Sequence, residues 1–351
     1  MKDPRLQVAF GGLHPERVAA LYERFGPREV QRRIVAGSIE TTARARREVG
    51  RPAEELRHEL TLGGIDVVFR GDPDYPAHLG SLPDAPDLLF VRGTLPSTPG
   101  VAIVGTRRCT SYGRRVANEY GRAVAAAGWP AVSGLARGVD GAAHGGTVAA
   151  GGVGVAVLGS GIDVMYPREH AELARRLIAD GGAVISESPP GTPPEAWRFP
   201  PRNRIISGLV AAVIVVEAAV KGGALITAET ALRQGRQVFA VPGDISRASS
   251  AGCNLLIRDG AFPVLEPDDL IESLELVLGP APQTEASVST TSLSGEDARL
   301  VELVRAGADD LDALMSYGLG GPGEILATLG RLELAGVVAT EGQGRYVVTG
   351  R

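Results

Sequence analysis

The chain has 351 residues, 44% hydrophobic and 22% charged, with a formal net charge of −5. That is an ordinary globular composition, long enough for one large core and one or two small domains. Its two cysteines, Cys109 and Cys253, lack CxxC spacing and so give no sign of a disulfide framework or a zinc site. No charged-then-apolar leader and no apolar run near the ~18 residues of a membrane span occurs, so a cytoplasmic protein without membrane contact is expected.

Charge is spread unevenly. Residues 1–60 carry 12 basic and 9 acidic side chains, 61–280 carry 19 and 22, and 281–351 carry 5 and 10. With no polybasic tail, any nucleic-acid contact has to come from a local basic site. Only two of the 36 basic residues are lysines, Lys2 and Lys221, which singles out the internal one.

In chain order, residues 1–60 read as a small helical domain. Leu13, Val18, Leu21 and Phe25 fall at helical spacing, Gly26-Pro27 breaks the run, and Val30, Ile34 and Val35 resume it. Such a helix-hairpin unit either holds DNA backbone or serves only as a packing module, and its mixed charge favours packing. Residues 61–98 are punctuated by prolines at 73, 76, 83 and 86 and read as an extended approach to the main domain.

From there the pattern alternates. Strands are expected at Val101–Val104, Ala131–Ser133, Gly154–Leu158, Ala183–Ser186, Ala211–Val216, Gln237–Val241 and Phe262–Leu265. Helices are expected near Tyr112–Ala127, Gly141–Ala150, Arg168–Asp180, Asn203–Leu209, Leu225–Gln234 and Asn254–Arg258. Runs such as Ala211–Val216 lack polar alternation, as strands covered on both faces do, so residues 61–280 read as an α/β domain with a doubly wound parallel sheet. A polar stretch, 281–295, reads as a linker. Beyond it, residues 296–351 read as three helices and a glycine-tipped hairpin, a winged-helix-like domain. Its recognition-helix candidate, Glu324–Arg331, offers one arginine against nearby carboxylates, which favours protein docking over groove reading.

The polar, glycine-rich signals follow the strands. In an open α/β sheet, strand C-termini and helix N-termini face one edge, where N–H groups and helix dipoles converge on an anion. Gly105-Thr106-Arg107 combines close backbone approach, a hydroxyl and a guanidinium fork. Ser133-Gly134-Leu-Ala-Arg137-Gly138 repeats that chemistry after the next strand. Phe199-Pro-Pro-Arg202-Asn203-Arg204 sets an aromatic ring beside two arginines and an amide, the pattern of base stacking with phosphate coordination in single-stranded nucleic-acid binding. Alternatively Phe199 is core and the arginines pair with Glu187 or Glu217. Lys221-Gly222-Gly223 opens a helix but lacks the Gly-Lys-Ser/Thr order of an ATPase loop. Asp140 and His144 share a helix face by spacing; either they do acid–base work or Asp140 is an N-cap with His144 packed beside it. No Gly-x-Gly-x-x-Gly follows the first strand, so no nicotinamide cofactor is expected, and no other cofactor, metal ion or catalytic residue is assigned.

Residues 100–265 resemble the DNA-processing protein A family (DprA, also called Smf). The resemblance runs motif after motif: Ala102-Ile-Val-Gly-Thr-Arg107, Ser111-Tyr-Gly113, Ser133-Gly-Leu-Ala-Arg-Gly-Val-Asp140, Tyr166-Pro167, Ser186-Glu187, Phe199-Pro-x-Arg-Asn-Arg204, Val215-Val-Glu-Ala218, Gly223-Ala-Leu-Ile-Thr227 and Val241-Pro-Gly243. It implies a Rossmann-like domain that binds single-stranded DNA without sequence preference and helps load the RecA recombinase onto it, notably in natural transformation. It also implies a homodimer formed through that domain, with no nucleotide cofactor. By position the strand-binding pocket would use Thr106, Arg107, Ser133, Gly134, Arg202, Asn203, Arg204, Lys221 and Gly222. Gly222-Gly223-Ala224 departs from the family's more usual Gly-Ser-Leu type of loop by one hydroxyl donor. The competing reading is a nucleotide phosphoribohydrolase on the same sheet, with Glu229 as its carboxylate. The second Gly-Thr pair of that enzyme loop is absent here.

Overall fold

A computed structural model describes residues 3–280, 295–305, 308, 310–317, 320–334, 338–341 and 345–348. Two compact units result, Met1–Pro282 and Gln283–Arg351.

The first unit begins with short helices whose starts are written in the sequence. Helix α1 (Pro4–Phe10) is capped by the Asp3 carboxylate on the Arg5 N–H at 2.9 Å and has proline in its first turn, where no N–H is needed. The Gly26-Pro27 break separates α2 (Pro15–Phe25) from α3 (Pro27–Val35), and α4 (Ala43–Val49) and α5 (Ala53–Leu62) complete the set. Val8, Val30, Ile34 and Val49 form a small core of their own. Leu6 instead buries with Leu56, Leu60 and Phe90 in the core of the sheet. Leu6 and Val8, on opposite faces of α1, thus tie the helical segment to the sheet.

The stretch read as an extended approach contains β1 (Asp66–Phe69), α6 (Ala77–Gly80) and β2 (Leu88–Gly93). Then follow β3 (Gly100–Val104), α7 (Ser111–Ala126), β4 (Ala131–Ser133), α8 (Val139–Ala149), β5 (Gly154–Leu158), α9 (Ala171–Ala179) and β6 (Ala183–Ser186). The second half runs through α10 (Phe199–Gly208), β7 (Val210–Val215), α11 (Gly223–Arg233), β8 (Gln237–Ala240), α12 (Ala251–Arg258), β9 (Phe262–Pro263) and α13 (Pro267–Leu278). Helix α10 starts at Phe199 rather than near Asn203, because Pro200 and Pro201 occupy first-turn positions whose missing N–H groups are not needed.

These strands form one sheet in the order β1-β2-β6-β5-β4-β3-β7-β8-β9. It is parallel from β6 to β9 and antiparallel where β2 joins β6 and β1 joins β2. The antiparallel extension was not expected, although Leu88–Val91 is a continuous apolar run that covers what would be an open β6 edge. Alternation along β3 divides the layers. Ala102 and Val104 pack toward α6, α10 and α11, whereas Val101 and Ile103 pack toward α7 and α13.

In the second unit, α14 (Gly295–Arg305), α15 (Leu311–Met315) and α16 (Pro322–Leu334) pack with β10 (Val338–Glu341), which pairs antiparallel with β11 (Arg345–Val348). Leu300, Val304, Leu314, Ile325, Leu329 and Val338 form its core. The expected 281–295 linker, except Gly295, and the glycine tip at 342–344 lie outside the described residues.

Candidate nucleic-acid interface

After β6 the chain crosses back over the sheet and enters β7 beside β3, so strand order reverses between these two. Ligands of open α/β sheets bind at such a switch point, outside the strand C-termini. Gly105 leaves β3 there, Glu217–Gly223 leave β7, and the Ser133–Gly138 turn leaves the neighbouring β4. A cleft of about 460 Å³ lies between them, lined among others by Gly105, Thr106, Arg107, Phe199, Arg202, Asn203, Gly222 and Gly223. Arg107 and Phe199 also line a smaller adjoining recess of about 190 Å³, together with Gly134, Arg137 and Tyr166. Ser133, Arg204 and Lys221 line neither.

The rim of the cleft is a clamped turn. Thr106 donates its N–H to the Glu217 carbonyl at 2.7 Å, and its hydroxyl oxygen accepts from the Arg108 N–H at 3.2 Å, which leaves the hydroxyl proton for a ligand. At the far end of the turn the Glu217 carboxylate accepts from the Thr110 N–H at 2.8 Å and the Thr110 hydroxyl at 3.3 Å. Only 4% exposed, Glu217 holds both ends of the segment that carries Arg107 and Arg108. Arg107 is exposed, and its guanidinium carbon lies 4.6 Å from the Phe199 ring centroid with no salt bridge among the described residues. Lys221 is exposed as well. Helix α11 begins at Gly223 without a side-chain cap; the Leu225 N–H donates to the Gly222 carbonyl at 3.1 Å, which leaves the Gly223 and Ala224 N–H groups available at the cleft.

The floor is built differently. Arg202 is buried and donates to the carbonyls of Gly134, at 3.0 Å, and Val157. Burial pulls its pKa down to about 10, and the nearby Asp140 carboxylate opposes that shift, so it remains charged at neutral pH. A Cβ at Gly134 would collide with this guanidinium, which is why the turn needs glycine there. The Ser133 hydroxyl donates to the Ile103 carbonyl at 2.7 Å and is likewise buried.

Asp140 is not an N-cap. Gly138 takes that position with φ +79°, and a side chain there would strike the Thr106 carbonyl. Asp140 sits in the first turn of α8, where its carboxylate accepts from the Gly134 N–H at 3.0 Å. Burial raises its pKa, while Arg202 and the backbone N–H groups oppose the shift. His144 is fully buried, and desolvation drives its pKa down to about 4. It is a neutral packing residue that does not line the cleft.

Two further cations are committed to partners. Arg204 binds the Glu187 carboxylate at 2.7 and 2.8 Å, and Arg137 binds Glu169 at 2.7 and 2.8 Å. Glu229 is exposed on α11 and does not line the cleft. Sequence reasoning missed the clamp made by Glu217, although Val215-Val-Glu-Ala218 stood among the quoted motifs. It also missed Tyr166, 39% exposed with its ring centroid 5.8 Å from that of Phe199, and Trp197, 41% exposed beneath the Arg198 guanidinium. No helix among the described residues is long and apolar enough to cross a membrane.

Comparison with known proteins agrees with this architecture. The family described as DNA recombination-mediator protein A matches residues 66–275. Protein Smf of Escherichia coli is 42% identical over 280 residues, covering 78% of this chain and 74% of its own. The crystal structure of DNA processing protein A from Streptococcus pneumoniae superposes with a TM-score of 0.62 at 33% identity, covering 78% of this chain and 98% of that one. DNA processing protein A from Helicobacter pylori, whose structure was analysed for its single-stranded DNA binding mode, gives a TM-score of 0.54 at 26% identity, covering 61% and 96%. The sheet with its switch-point cleft, the ordered motifs around it and the family match over residues 66–275 together place this chain in the DNA recombination-mediator protein A family.

Proposed function

We propose that this protein is a sequence-independent single-stranded DNA-binding protein of DNA recombination and natural transformation, and that the strand lies along the switch-point cleft. The observation that carries this reading is the rim. Arg107, the Thr106 hydroxyl and the Gly223 and Ala224 N–H groups of α11 face one cleft, Lys221 stands exposed one residue before its Gly222 wall, and neither cation is neutralised by a carboxylate among the described residues. Arg107 lies over Phe199 and presents a guanidinium plane on which a base stacks regardless of its identity. Arg202, Ser133 and Gly134 form the scaffold beneath, Arg137 and Arg204 are held by carboxylates, and Asn203 offers an amide at the cleft wall. Strand binding by the Helicobacter pylori protein supports the same ligand here.

The protein acts by binding rather than by catalysis. Asp140 lines the cleft but is buried and bonded to the Gly134 N–H, His144 is buried away from it and Glu229 faces outward, so among the described residues no free carboxylate or imidazole stands in the cleft for a phosphoribohydrolase step. Following the family resemblance, we assign it to the cytoplasm, where it hands the strand to the RecA recombinase. We also assign it a homodimeric state through the Rossmann-like domain, for which the open β9 edge with exposed Phe262 and Leu265 is the surface. The winged-helix-like unit docks protein, since Arg331 of α16 is already engaged by Asp297 at 3.3 Å.

Fluorescence anisotropy with single-stranded and duplex oligonucleotides of equal length tests the assignment. Tighter single-strand binding that weakens as salt rises supports it, and equal affinity for blunt duplex at moderate salt refutes it.

A further inference from the structure

We infer that the bound strand extends beyond the cleft into a basic groove between α7 and α8, so that the contacted length of DNA exceeds what the cleft alone can hold. This inference rests on the cleft being the primary strand site.

The groove encloses about 680 Å³. Arg114, Asn118 and Arg122 of α7 line one side at spacings of four, which stacks them on one helix face. Gly138, Gly141 and Gly145 line the other side from the start of α8. Arg114 and Arg122 are exposed and form no salt bridge among the described residues. Arg122 is tethered by its Nε to the Asn118 Oδ1 at 3.2 Å, and Asn118 in turn donates to the Ala142 carbonyl at 3.2 Å. In a chain of net charge −5, these are cations laid out in a row rather than gathered on one point. From Arg114 to Arg122 the row spans about 12 Å. That spacing suits successive phosphates of a polymer better than a single anion.

The glycines carry a second argument. Gly146 is needed for packing, because a Cβ there would strike the Asn118 carbonyl, and Gly141 is needed because one there would strike the His170 ring. Gly145 has no such reason. A Cβ at that position would meet only the Asn118 Nδ2 at 3.6 Å, an ordinary contact, yet glycine inside a helix costs stability relative to alanine. An open floor under a ligand accounts for it.

Continuity with the cleft is direct. Arg108 lines the cleft, and Ser111, three residues on, lines the groove. The clamped turn held by Glu217 is therefore the ridge over which the strand passes from one to the other.

The test uses the full chain and fluorescent oligothymidines of about six and about twenty nucleotides, bracketing the contacted length expected for such sites. In the Arg114→Ala, Arg122→Ala double variant, affinity for the long oligonucleotide should fall tenfold or more while the short one changes less than twofold. The salt slope for the long oligonucleotide should shrink by about 1.4, the value for two phosphate contacts on a single strand. Gly145→Leu should weaken long-strand binding by filling the groove without altering charge, at undiminished thermal stability. Equal weakening for both lengths, or unchanged long-strand affinity in both variants, overturns the groove. The outcome stays separable from the primary reading, because Arg107→Ala tests the cleft with the short oligonucleotide: intact binding there removes the cleft, whereas length-dependent loss in the double variant would leave the groove standing.

Discussion

The floor and the rim of the cleft are built from the same residue type and do opposite work. Arg202 is enclosed by carbonyls and an acidic neighbour, and its hydrogen bonds join the β4 turn to the end of β5. Arg107, nearer the Phe199 ring at 4.6 Å than Arg202 at 5.9 Å, has that aromatic contact and no salt bridge among the described residues, and it faces solvent. A guanidinium buried against the protein's own carbonyls and carboxylate stabilises the fold, and one whose donors face solvent binds a ligand. Stability and affinity should therefore separate cleanly between the two positions.

The largest expected effect is at the floor. Arg202→Ala leaves the buried Asp140 without its cation and two carbonyls without a donor, so chemical denaturation should show a loss of about 3–5 kcal/mol. A loss below about 1 kcal/mol would mean that Arg202 is not structural.

Acid should act next, through the buried His144 of α8. Its folded pKa of about 4 lies below the unfolded value of about 6.5, so between these limits the unfolded chain takes up a proton that the native state refuses. Its contribution is fully present above pH 6.5 and is lost as pH falls toward 4, by about 3 kcal/mol in all. In His144→Leu this part of the acid sensitivity should disappear from the pH dependence of unfolding. An identical pH profile would contradict the assignment.

At the rim, Arg107→Ala should leave stability within about 0.5 kcal/mol of the parent, as surface substitutions do. Single-strand affinity should drop by about 1.5–3 kcal/mol, the worth of a charge-assisted hydrogen bond. Arg107→Lys should be impaired too, since an ammonium reproduces neither the fork nor the plane over Phe199. Unchanged binding in Arg107→Ala would erase the distinction between floor and rim.

The smallest effect should come from the second unit. A chain ending at Leu278 keeps the whole sheet and the cleft, and should bind single strands within about twofold of the full chain, well under the ~1.4 kcal/mol of a tenfold change. Loss of most affinity with the fold intact by circular dichroism would show that the winged-helix-like unit contacts DNA itself.

Much of this molecule could be read before any coordinates. Strands at Ala131–Ser133, Gly154–Leu158 and Ala183–Ser186 lie where the continuous apolar runs placed them, because burial on both faces leaves an unambiguous pattern. The crest at the strand ends was legible for a related reason: glycine, hydroxyl and arginine directly after an apolar run have few purely structural uses. Strand β2 was missed because prolines on either side suggested a connector, and its pairing with β6 is a long-range contact that no local window reveals.

Sequence alone determined the α/β alternation, the family motifs and the set of residues gathered at one edge of the sheet, since each of these depends on residue type and near-neighbour spacing. Only the tertiary structure decided which arginines remain available. Arg107, Arg137, Arg202 and Arg204 look equivalent in their motifs, yet Glu169 takes one, Glu187 another, and the carbonyls of Gly134 and Val157 a third. The partner that satisfies a charge comes from a distant part of the chain, 17 to 68 residues away in these three cases, and only folding brings the two together.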